Sequence, residues 1–159
     1  MIKKLICLSL LLLNLSAFAQ FTPTAPYQKA TEPFYKTAIS VGLLHGGGSL
    51  LGVDLETMLG KRVGAQIGFG LIGFGGGINI HLADGAKSSM FSIQYFNQGV
   101  GDGMTQNGIA TAFVYRAKSK FTASFGLASP LSQGPAWPEG TEQPDVQLFY
   151  AIGIYFVKP

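Results

Sequence analysis

The sequence predicts an all-β fold, an eight-stranded antiparallel up-and-down transmembrane β-barrel. Three observations predict it. The chain opens on an export leader. From residue 36 onward, apolar residues alternate with small or polar ones at a period of two. Charged residues are only 12% of the chain, about half the share found in ordinary soluble domains.

The leader comes first. Met1–Ala19 begin with Lys3 and Lys4, continue through an apolar run from Leu5 to Leu13, and end in Ser16-Ala17-Phe18-Ala19 before Gln20. A charged head, a short apolar middle and an Ala-x-Ala ending mark a cleaved secretory signal peptide. The run is too short to cross a bilayer, which takes about 20 residues. Cys7, the only cysteine, lies within this leader, and Ile6 before it is not the small residue that lipid attachment requires. The mature chain, 20–159, therefore has no thiol for disulfides or thiolate metal sites. It keeps nine basic and eight acidic residues. The pI near 9.0 of the whole chain thus gives no support to nucleic-acid binding. Mean hydropathy is +0.31, yet nothing beyond residue 19 has the length of a membrane helix. A closed barrel is the remaining way for such an exported chain to satisfy its backbone hydrogen bonds in lipid.

Residues 20–35, with three prolines and no regular pattern, read as an extended N-terminal leader to a barrel over 36–159. Val53, Leu55, Thr57 and Leu59 share one face against Asp54, Glu56 and Met58. Val63, Ala65, Ile67, Phe69 and Leu71 oppose Gly64, Gln66, Gly68 and Gly70. The pattern recurs with Ile78, Ile80 and Leu82 against Asn79 and His81, and with Phe91, Ile93 and Tyr95 against Ser92 and Gln94. It closes with Leu148, Tyr150, Ile152, Ile154 and Phe156 against Gln147, Ala151 and Gly153. Turn signals place strands at about 36–44, 50–59, 63–74, 76–83, 89–98, 107–117, 121–131 and 144–157. Connections after the even strands are compact. Those after the odd strands, HGGGS, GFGGG, QGVGDGMTQ and SQGPAWPEGTEQP, are glycine-rich or long, as external loops of outer-membrane barrels are. The polar face is too poor in Lys and Glu for a solvent surface, and its small residues suit a narrow lumen filled by side chains.

Several motifs carry no chemistry in this context. Gly68-Phe69-Gly70-Leu71-Ile72-Gly73 spells GxGxxG, but no helix follows it, as a dinucleotide site requires. His45-Gly46-Gly47-Gly48-Ser49 resembles an esterase oxyanion segment, but the chain lacks the G-x-S-x-G elbow that would accompany it; it reads as a flexible external loop. His81 has no serine two residues on, departing from the His-x-Ser pattern of lipid A deacylases, and reads as a lumen residue in a polar network. Trp137 lies in the longest loop, between Pro135 and Pro138. No residue is assigned to catalysis, cofactor or metal.

The Ala19-Gln20 leader end, the strand and loop phase and the closing LFYAIGIYF resemble the small outer-membrane β-barrel proteins of Bacteroidetes-type bacteria, similar in architecture to the OmpA and OmpX barrels. The resemblance covers roughly 36–157 and brings no functional motif. It implies an outer-membrane protein of a Gram-negative bacterium and nothing about activity; the lack of a catalytic constellation and the long aliphatic outer face instead point to a non-enzymatic role, structural or accessory to a larger assembly. Its expected partners are outer-membrane lipid and other outer-membrane proteins, not nucleic acid or nucleotides. The alternatives are a lipid-modifying enzyme with a site at the barrel rim, a small-solute pore, and a periplasmic ligand-binding barrel.

Three geometric expectations follow. The loop Gly60-Lys61-Arg62 closes with Leu59 opposite Val63, setting Glu56 against Gln66 and Leu55 against Ile67. Tyr35, Phe91, Tyr115, Phe121 and Phe156 form an aromatic belt at one end. Asp54, Glu56, Gln66, Asn79, His81, Gln94, Arg116 and Gln147 face inward and satisfy one another. Arg116 pairs with the lumen carboxylates, supplemented by Arg62 reaching into the barrel floor or by a protonated His81.

Overall fold

The computed structural model describes residues 33–101, 103–136 and 144–158. The predicted signal peptide, most of the expected 20–35 leader and Trp137 lie outside the described residues. Eight strands follow in chain order: β1 (Thr37–Leu43), β2 (Leu51–Met58), β3 (Val63–Gly70), β4 (Gly73–His81), β5 (Met90–Val100), β6 (Met104–Arg116), β7 (Phe121–Gln133) and β8 (Gln147–Lys158). Each pairs antiparallel with the next, and β8 closes on β1. Closure leaves no unpaired sheet edge. We call the end holding Thr37, Met58 and Lys158 the lower end and the other the upper end.

The β2–β3 register is the expected one. Leu55 opposes Ile67 and Glu56 opposes Gln66, and the Leu59 N–H donates to the Val63 carbonyl at 2.8 Å. A slip of one residue would turn every side chain of β3 to the opposite face. The inward set therefore depends on this short turn.

Two upper connections correct the sequence reading. GFGGG is the first half of β4, not a loop, and only Leu71 and Ile72 separate it from β3. Likewise β5 runs to Val100 and β6 starts at Met104, leaving three residues between them where the expected strand bounds left eight. The upper connections are thus 44–50, 71–72, 101–103 and 134–146, and the lower ones 59–62, 82–89 and 117–120. Loop length does not alternate cleanly between the ends. The reason lies in the inward phase of β4. Gly75 faces a chain segment inside the barrel, and a Cβ there would lie 3.0 Å from the Gly47 Cα. These glycines accommodate a close approach within a strand; they do not mark a turn.

The outer wall is mainly apolar, with Thr57 near its lower edge and Asn97, Asn107 and Ser132 side by side near the upper ends of β5 to β7. Leu51, Val53, Leu55, Ile67, Phe69, Ile78, Ile80, Ile93, Ile109, Phe125, Ile152 and Ile154 are all exposed on outward phases. Leu50, Leu59, Leu71 and Leu82 continue this surface just past the strand ends. No outward-phase strand residue from Thr37 to Val157 is charged. Phe91, Tyr115, Phe121 and Phe156 gather near the lower ends of β5 to β8, Phe91 against Phe113 with ring centroids 5.3 Å apart. Tyr35 does not join them. It packs on the inward cluster of Ala38, Met58 and Ala86, because its carbonyl accepts the Ala86 N–H at 2.9 Å and draws it under the barrel.

Candidate functional site: a lumen plugged at both ends

The lumen is a polar network centred on Glu56. Its Oε2 accepts from the Arg116 guanidinium at 2.7 Å. Its Oε1 lies 2.9 Å from His81 Nε2 and also accepts from the Asn79 amide. Asn79 donates to Gln66 Oε1 at 2.8 Å, and Gln66 donates to Gln94 at 2.7 Å. Each member stands on an inward phase of β2 to β6, so the sheet pattern alone assembles the cluster. The side chains of Glu56 and Arg116 are each only 2% exposed. Charges that deep are tolerated when paired and hydrogen-bonded; here the ion pair is made, while Arg116 Nε and Asn79 Oδ1 are buried without a hydrogen-bond partner among the described residues. Arg116 also stacks over the Tyr155 ring, 5.2 Å from its centroid. Higher up, Gln106 and Gln147 exchange amide hydrogen bonds at 3.4 Å. All eight residues expected inside are inside.

The pairing differs from expectation in two ways. Asp54 is not part of the Arg116 cluster. His45 Nδ1 approaches its Oδ2 to 2.6 Å, and the Gly46 N–H donates to its Oδ1 at 3.1 Å. Arg62 does not reach into the floor. It is exposed and pairs with Asp84 at 2.9 Å, outside. With His45 drawn inward, each lumen carboxylate has its own partner, and no second arginine is needed.

His45 is inside because the HGGG segment is not an external loop, another correction. Residues 45–48 make one turn that folds down into the upper mouth, with His45, Gly46 and Gly47 buried and Ser49 fully so. Leu44, Gly46, Gly47 and Gly48 all have positive φ, a backbone run that only glycine adopts cheaply. The plug also touches the wall: a Cβ at Gly46 would overlap the Phe69 carbonyl, and one at Gly47 the Phe74 carbonyl. On the wall side, a Cβ at Gly68 would come 2.9 Å from the Gly46 Cα. The GxGxxG letters are thus the seat of this plug. Ser49 Oγ locks it by accepting the Ile72 N–H at 2.9 Å.

The lower end is closed by the β4–β5 connection. Gly85 and Ala86 are buried, the Gly85 N–H donates to the Lys61 carbonyl at 2.9 Å, and the Ala86 carbonyl accepts from Arg116. Between the two plugs remains a small cavity of about 30 Å³ bordered by His45, Glu56, Ser92, Gln94 and Arg116. Above the upper plug is an open cleft of about 160 Å³ between Phe96, Gln98, Gln147 and Phe149. Phe96, Phe149 and Tyr155 are buried inward aromatics that the sequence reading did not place. Segments such as LFY carry apolar residues on both faces, which hides the alternation.

One arrangement resembles catalytic machinery. Ser88 Oγ lies 3.1 Å from His81 Nδ1, and His81 Nε2 lies 2.9 Å from Glu56. The serine that is missing two residues after His81 arrives instead from the β4–β5 connection. Its other contacts are structural: the hydroxyl donates to the Ala83 carbonyl at 2.9 Å and accepts the Ala83 N–H at 3.3 Å, pinning the turn as serine hydroxyls do. Neither Ser88 nor His81 borders either cavity described above.

Comparison with models of known protein families, with curated proteins and with solved structures finds no match to this chain. The functional reading therefore rests on geometry.

Proposed function

We propose that the protein is an outer-membrane β-barrel of a Gram-negative bacterium with a non-enzymatic role, a structural or accessory component of an outer-membrane assembly. One observation carries the reading. A closed barrel presents a largely apolar outer wall, with no charged residue on its outward phase between Thr37 and Val157, while the Glu56–Arg116 and Asp54–His45 pairs are turned inward. A protein bathed in water has the opposite arrangement, since an exposed apolar surface of this extent marks contact with lipid or protein. From Leu148 to Phe156 the outward row rises about 26 Å along the strand at 3.3 Å per residue. At a tilt of about 40° that is roughly 20 Å of height, close to the apolar band of membrane barrels. The architecture fits the small barrels of the OmpA and OmpX kind that the sequence resembles, and the leader fits export to that membrane. The segments that fill the lumen at both ends argue against a solute pore.

A second reading, an enzyme acting on lipid, is favoured only by the Ser88–His81–Glu56 chain. One experiment on isolated membranes addresses both. The protein should stay in the pellet after carbonate washing, enter solution only with detergent, and take no label from a fluorophosphonate. Release by carbonate would refute the membrane reading. Labelling abolished by Ser88→Ala would establish the enzymatic one.

A further inference from the structure

Charge is sorted along the barrel axis. The three lower connections carry Lys61, Arg62, Lys87, Lys118 and Lys120, and Lys36 and Lys158 flank the first and last strands. All are exposed except Lys87, which is half-buried. The one acid among these lower positions, Asp84, pairs with Arg62. Among the described residues of the upper connections there is no Lys or Arg, and Asp145 is exposed there. Arg116, the remaining cation of the barrel, is inside on Glu56.

The basic groups form a ring rather than a patch. They come from all three lower connections and from both flanks of the β1–β8 seam, so they surround the rim. They also sit directly on the edge of the apolar wall. The Lys120 ammonium lies 5.4 Å from the Phe156 ring centroid. Lys61 and Arg62 stand between exposed Leu59 and Val63. Lysine stems placed this way lie along apolar surface and extend their charge beyond it. A soluble acidic partner would meet one side of such a ring. A lipid leaflet meets all of it.

We propose that the lower rim binds the headgroups of anionic phospholipids in the leaflet at that end, an inference that rests on the membrane reading above. Clustered cations beside a bilayer are drawn to anionic lipid, and the attraction is screened by salt. The test uses the refolded barrel in phosphatidylcholine vesicles doped with spin-labelled phosphatidylglycerol or spin-labelled phosphatidylcholine, comparing the fraction of each lipid immobilised at the protein. Phosphatidylglycerol should be preferred at least threefold. The preference should fall to near one in 1 M salt and in the triple variant Lys61→Gln, Lys118→Gln, Lys120→Gln, which should insert as well as the parent. Equal immobilisation of both lipids by an inserted barrel, or a triple variant that keeps the parent's preference, would overturn the proposal. Failure of the parent to insert into vesicles of either composition would overturn the membrane reading and this inference with it.

Discussion

Arg116→Met is expected to lower stability by about 3–5 kcal/mol, the cost of leaving a buried charge without its partner. Arg116 and Glu56 are each 2% exposed and meet at 2.7 Å. The guanidinium also donates to the Ala86 carbonyl, so its loss unties the lower plug as well as the ion pair. The refolded barrel, followed against urea by its heat-modifiable gel shift, should show a lower midpoint. The double variant Glu56→Leu, Arg116→Met should recover much of the loss, because it removes both charges together. An unchanged midpoint for Arg116→Met would mean that the pair is solvated and that the inward phase of β6 is wrong.

The second large effect falls on the upper plug. Gly47→Ala should cost about 2–5 kcal/mol, the sum of a left-handed backbone imposed on alanine and of overpacking against the wall. Gly47 has φ 78°, and its added Cβ would overlap the Phe74 carbonyl of β4, backbone that cannot rotate away. The chain can relieve the clash only by lifting residues 45–48 out of the mouth. That would break the His45–Asp54 contact and expose the segment to protease. Urea midpoint and limited proteolysis check the two halves of this expectation. Gly60→Ala, where a Cβ meets nothing within 4 Å, is the control and should behave as the parent. A Gly47→Ala barrel as stable and protease-resistant as the parent would show that the HGGG segment does not occupy the mouth.

These two positions mark how far the sequence is legible. Period-two alternation is enforced by the wall itself, since one face of each strand is apolar and the other points into a narrow lumen. Residues such as Glu56, Asn79 and Arg116 could therefore be placed inside before any coordinate was known. The register at Gly60-Lys61-Arg62 followed from the same parity. Glycine is where the reading fails. A run such as HGGGS or GFGGG permits a loop, a close contact or an inward turn, and nothing local distinguishes them. The answer depends on Gly46 meeting Gly68, and Gly47 meeting Gly75, across strands distant in sequence. The same limit hid the His45–Asp54 contact, which exists only because the plug turns in, and the Ser88–His81 contact, which spans a connection whose fold is set by Lys61 and Tyr35. Arg62 was misplaced for a related reason: Asp84 is its neighbour only once the lower connections pack together.

The central claim, that the apolar outer wall faces lipid, is tested most directly by the depth of its side chains in a bilayer. The chain beyond the predicted leader has no cysteine, so single cysteines can be placed along β8 at Leu148, Tyr150, Ile152 and Ile154, with Lys158 and Asp145 as the two ends. A nitroxide at each position in vesicle-embedded protein reports collision with oxygen, which concentrates in lipid, and with a water-soluble nickel chelate. Oxygen collision should dominate at Tyr150, Ile152 and Ile154 and peak near Ile152, while the chelate dominates at Lys158 and Asp145. Chelate collision dominating along the whole of β8 would place that wall in water and contradict the account.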